Sequence, residues 1–101
     1  MRQERYQFSG IPAANGDSNA LVCTDFVDKW IMIVTGSHTA TVMASGDNGA
    51  NYAPVPMGTV AANTNAWVEV PMAATHVKIT IGSYVAGTAA AHLNMRNARG
   101  E

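Results

Sequence analysis

The chain has 101 residues, enough for one domain with a modest core. Apolar residues make up 48% and charged residues only 13%, about half the usual charged fraction. Six basic and seven acidic residues leave a net charge of −1, which argues against a basic nucleic-acid binder and an acidic tail protein. No apolar run approaches the roughly 18 residues of a transmembrane helix, so no membrane partner is expected. Met1-Arg2-Gln3-Glu4-Arg5 lacks the apolar stretch of a signal peptide. Arg2, Glu4 and Arg5 lie at one end of the chain, and Arg96, Arg99 and Glu101 at the other. Between Trp30 and Met95 only Asp47, Glu69 and Lys78 carry formal charge. Thr, Asn and Ser supply most of the polar groups there, which suits a body covered by neighbours or one that works outside cytoplasm.

Residues 1–19 contain Gly10, Pro12, Gly16 and Asp17 and hold no steady period. They read as an extended arm or irregular segment, with Tyr6 and Phe8 as docking anchors, and residues 20–101 as a single β domain. Residues 20–23 fit a short strand. Its Cys23 is the only cysteine, which excludes an internal disulfide and suits a buried thiol. Residues 29–35, Lys-Trp-Ile-Met-Ile-Val-Thr, are apolar on both alternating faces. They predict a strand covered on both sides, or one at an oligomer contact. Residues 39–45 predict another strand, and Ser45-Gly46-Asp47-Asn48-Gly49 is the strongest turn signal in the chain.

Pro54-Val55-Pro56 removes amide donors from one side of its segment and predicts an edge strand or an extended loop, not a central strand. In residues 66–70, Trp67 and Glu69 face one way and Val68 and Val70 the other. Residues 75–81 alternate most cleanly, with Val77, Ile79 and Ile81 inward and His76, Lys78 and Thr80 outward. The last strand, within 88–95, sets Leu93 and Met95 against His92 and Asn94. No segment holds a helical period beyond two turns. Six to eight short strands between Gly, Asn and Pro turns predict an all-β, antiparallel β-sandwich, jelly-roll or Ig-like, with a closed barrel as the alternative.

Chemistry-bearing motifs are few. If the strands of His76 and His92 paired as a hairpin, the two rings would meet, but a metal site needs a third ligand and none is evident. Asp47-Asn48-Gly49 lacks the alternating acids of a calcium loop. There is no Gly-x-Ser-x-Gly elbow, no phosphate-binding glycine loop and no dinucleotide fingerprint. No catalytic residue, metal or cofactor is therefore expected, and the chain reads as a non-enzyme. Trp30, Trp67, Tyr52 and Tyr84 can be read as a sugar-stacking platform, or as core and interface anchors, which aromatics in alternating strands more often are.

The order of strands and turns carries a resemblance. A β-branched strand ends at Gly36, followed by Thr39-Ala40-Thr41-Val42 and the hairpin Ser45-Gly46-Asp47-Asn48-Gly49-Ala50-Asn51-Tyr52. Then come Val68-Glu69-Val70-Pro71, Thr75-His76-Val77-Lys78-Ile79-Thr80, and Gly87-Thr88-Ala89. Over residues 30–95 this resembles small β-sandwich virion proteins of tailed bacteriophages. The resemblance implies a structural virion protein: a capsid decoration (cement) protein on the outer capsid surface. Such a protein is expected to be a dimer or trimer that clamps the major capsid protein. Its contacts would include the arm with Arg2, Arg5, Tyr6 and Phe8, together with Trp30, Met32 and the Pro54-Val55-Pro56 edge. Deleting residues 1–12 should then abolish attachment and leave the domain folded. The alternative it implies is a tail or baseplate module that binds host glycan or receptor.

Overall fold

The computed structural model describes residues 3–24 and 26–96. They form nine strands: β1 (Gln3–Gln7), β2 (Gly16–Asp17), β3 (Leu21–Val22), β4 (Asp28–Val34), β5 (Ser37–Ser45), β6 (Ala53–Val60), β7 (Asn65–Glu69), β8 (His76–Ala86) and β9 (Ala90–Arg96). All pairings are antiparallel. One sheet has four strands in the order β1-β9-β4-β7, and the other runs β2-β8-β5-β6. The short β3 pairs with β8 at Val77 and His76, beyond the β2 contacts at Ile81 and Thr80. Taking β2 and β3 as two pieces of one edge strand gives the two four-stranded sheets of a jelly roll.

Alternation fills the space between the sheets. Ile31 and Ile33 of β4, Ala91 and Leu93 of β9, Val42 of β5, and Val77 and Ile79 of β8 are all fully buried. Each large aliphatic side chain of this set stabilises the fold by about 1.5–3 kcal/mol through burial. The inward and outward faces of β7 and β8 are those the sequence predicts. The proline segment lies on an edge strand, since β6 pairs only with β5. Its irregularity is local. Met57 has φ 55°, and a Cβ on Gly58 would lie 2.9 Å from the Val55 carbonyl oxygen, so only glycine fits that bend.

Three expectations change, those for Phe8, for Val55 and for a hairpin of the last two strands. Within the segment 3–19, β1 lies along β9 and β2 along β8. Phe8, expected at a docking surface, belongs to the core at 4% exposure, and its N–H donates to the Ala91 carbonyl at 3.0 Å. Removing residues 1–12 therefore takes away an edge strand and a core aromatic. Arg2 lies outside the described residues. Val55 turns inward to 5% exposure, because alternation sends Pro54 and Pro56 outward and the residue between them to the core. Strands β8 and β9 do not form a hairpin. Gly87-Thr88-Ala89 carries the chain from one sheet to the other, which leaves His76 and His92 on different sheets. Strand β4, read as covered on both sides or as an oligomer contact, is covered on one side within the chain: Lys29, Ile31 and Ile33 are buried, whereas Trp30 and Val34 are exposed.

Candidate binding face on the four-stranded sheet

Register assembles the outer face of the four-stranded sheet. Antiparallel partners share a face, so cross-strand rows can be read directly. The first row is Gln3, Arg96 and Asp28, from β1, β9 and β4. The second is Arg5, Asn94, Trp30 and Glu69, ending on β7. The third is Gln7, His92, Met32 and Trp67. Three strand spacings separate Arg5 from Glu69, roughly 14 Å. Trp30 and Trp67 are diagonal neighbours on β4 and β7, about 7–8 Å apart along the backbone.

Four sequence-derived contact candidates, Arg5, Trp30, Met32 and Trp67, thus lie on one surface. Trp67 is 57% exposed and Trp30 38%, a large apolar area for a solvent-facing sheet. Between them and β1 runs an open groove of about 550 Å³, lined by Gln3, Glu4, Arg5, Asp28, Asn94 and Arg96 as well as by both indoles. Arg96 Nε donates to Asp28 Oδ2 at 2.7 Å along the groove wall. The Tyr6 hydroxyl hydrogen-bonds the Glu4 carboxylate, which also lines the groove. Asn94 Nδ2 makes one long bond of 3.4 Å to the His92 carbonyl. Arg5 has no hydrogen-bond or ion-pair partner among the described residues.

The other candidates fall elsewhere. Tyr6 is on β1 but alternates away from the groove face, and Pro54 and Pro56 lie on the edge of the five-stranded sheet. The four aromatics do not make one platform. Tyr52 sits under Lys78, whose Nζ is 4.3 Å from the ring centroid, and Tyr84 stacks on His38 at 5.8 Å. His38 is buried, with Nε2 accepting from the Gly36 N–H and Nδ1 facing the Ala86 carbonyl, each at 3.3 Å. That arrangement places the ring proton on Nδ1. Asp47 is a turn cap: Ser45 Oγ donates to its Oδ1, and the Asn51 N–H and Nδ2 donate to its two oxygens. These bonds hold its carboxyl down at about 2.

Beneath the face lies a residue the sequence does not single out. Lys29 is 1% exposed, and its Nζ donates to the Met72 and Ala74 carbonyls, both at 2.8 Å. Burial pushes this amine below its ordinary value and pushes the adjacent Cys23 thiol above its own. Cys23 Sγ shares the Ala74 carbonyl at 3.4 Å. Lys29 thereby ties the loop between β7 and β8 to β4. The polar groove residues Gln3, Asn94 and Arg96 also escape sequence reading, because only the pairing of β1 with β9 brings them beside the indoles. Compared with models of known families, with curated proteins and with solved structures, the chain matches none.

Proposed function

We propose that the chain is a non-enzymatic structural protein of a tailed-bacteriophage virion, a capsid decoration protein that binds the assembled shell on its outer surface. Its partner is the major capsid protein, and it acts as a homo-oligomer, a dimer or trimer. One observation supports this reading most: large apolar side chains are exposed on three separate surfaces. Trp30 and Trp67 lie on the four-stranded face, and Met57 on the proline edge. Val22, Val27 and Met72 are carried by β3 and by two loops held together at one end of the sandwich. There the Cys23 N–H donates to the Thr75 carbonyl and Lys29 to the Met72 carbonyl. A protein that bridges shell subunits needs several contact surfaces, and its effect on the shell is the binding energy gained only in the assembled state.

The test is co-sedimentation of the purified chain with undecorated capsids of the phage that encodes it. Saturable binding at a fixed ratio to the major capsid protein is expected, with Met72→Glu weakening it and the fold unchanged by circular dichroism. Absence of the chain from purified virions, measured by mass spectrometry, would overturn the reading.

A further inference from the structure

We propose that the groove on the outer face of the four-stranded sheet is a saccharide site selective for carboxylated sugars, such as uronates or sialates. Trp67 and Trp30 supply the stacking surface, Asn94 the hydroxyl contact and Arg5 the carboxylate receptor. The groove's volume of about 550 Å³ is that of a small-ligand site. Its lining pairs two indole faces with planar polar groups, the Asn94 amide and the Arg5 and Arg96 guanidiniums, and with the carboxylates of Glu4 and Asp28. That combination matches one ligand class best. A pyranose ring turns a C–H face to an aromatic plane and carries hydroxyls around its rim. An amide, with two donors and an acceptor, can serve neighbouring hydroxyls at once. A wholly apolar partner would leave these polar groups unpaired, at a cost for each.

The charge pattern narrows the class. Arg96 is engaged by Asp28, and the Glu4 carboxylate accepts from Tyr6. Arg5 is the groove cation with no partner among the described residues, and Glu69 stands at the far end of its row. A guanidinium in that state receives a carboxylate through two parallel N–H bonds. The site lies on strands fixed by ladder pairing on β9 and β4, so its parts are held in place before a ligand arrives.

The experiment uses the full chain and tryptophan fluorescence, titrated with tetragalacturonate, trisialic acid and, as the neutral comparison, maltotetraose. At least one acidic sugar should bind with a dissociation constant below about 1 mM and weaken as salt is raised. Trp67→Ala, followed by calorimetry, should weaken it by tenfold or more, and its thermal midpoint should match the parent chain because the side chain is exposed. Arg5→Gln should weaken the acidic sugar by about tenfold and leave maltotetraose unchanged. No binding of either acidic sugar at 10 mM would overturn the proposal. So would equal affinity for maltotetraose, or equal affinity for an oligoglutamate peptide. A dimer that Trp67→Ala converts to monomer would also overturn it, since a second copy would then occupy the groove. Shell attachment is scored separately: a Trp67→Ala chain that still decorates capsids but binds no sugar leaves both proposals standing.

Discussion

The outer faces of the two sheets solve the same problem in opposite ways. On the five-stranded sheet the polar side chains satisfy one another. Thr41 and Thr59 share a hydrogen bond at 3.1 Å across β5 and β6. Thr80 and Lys78 both donate to Asp17 at 2.8 Å, and Lys78 covers the Tyr52 ring. On the four-stranded sheet two indoles are exposed, and Arg5 is without a partner among the described residues. Paired threonines and one lysine–aspartate pair keep the five-stranded face polar with few formal charges, in line with the low charge content of the composition. The other face is left with unused bonding capacity, and that is where a ligand gains most. Few charges here mark a surface whose polar groups are internally matched, beside one whose groups are not.

The contrast can be broken from beneath. Lys29→Ala removes two charge-assisted bonds and empties a buried site, and should destabilise the fold by about 3 kcal/mol, read from urea denaturation. Lys29→Met keeps the volume and should cost about half of that, since the Met72 carbonyl still loses its donor. On the surface, Asp17→Ala should cost about 1 kcal/mol, because it unties both Lys78 and Thr80. Trp67→Ala, in the opposite face, should stay within ~0.5 kcal/mol. If the two costs were reversed, the five-stranded face would not be the self-satisfied one.

Acid separates the sheets further. The Asp47 carboxyl is held at about 2 by bonds from Asn51 and Ser45, and Asp17 is lowered by Lys78 and Thr80. A carboxyl depressed in the folded state stabilises it above the ordinary value of 3.8, and this is lost as pH falls through the folded value. Both acids belong to the five-stranded sheet or its β5–β6 turn. Amide hydrogen exchange should therefore show β5, β6 and β8 losing protection first between pH 4 and pH 2. Asp47→Asn should flatten the fall in the urea midpoint over that range. The smallest effect expected is for Thr59→Val, about 0.5 kcal/mol, because Thr41 can turn to water when its partner is lost.

Alternation made much of the fold legible. Val77, Ile79 and Ile81 against Lys78 and Thr80, and Trp67 and Glu69 against Val68, needed no knowledge of partners. Two prolines likewise sufficed to place β6 at an edge. Register was not legible, because pairing between β1 and β9 joins residues almost the length of the chain apart. The groove depends on that pairing, so Asn94 and Arg96 gave no local sign of their place beside the indoles. Phe8 follows a strand that has no apolar period of its own, and it read as part of an arm. Lys29 went unnoticed because lysine rarely lies fully inside a protein without a carboxylate, whereas here two carbonyls take that part.

The path of the chain between the sheets has a kinetic consequence. The strand order makes β5 and β6 the sequence neighbours that hydrogen-bond each other, whereas the chain crosses from sheet to sheet between β4 and β5, β6 and β7, β7 and β8, and β8 and β9. Apart from that hairpin, native pairing waits on closing long stretches of chain, so refolding should proceed in milliseconds to seconds rather than microseconds. The Asp47 cap then acquires a second role: it closes the hairpin that can form ahead of the rest, and replacing it should slow refolding as well as speed unfolding.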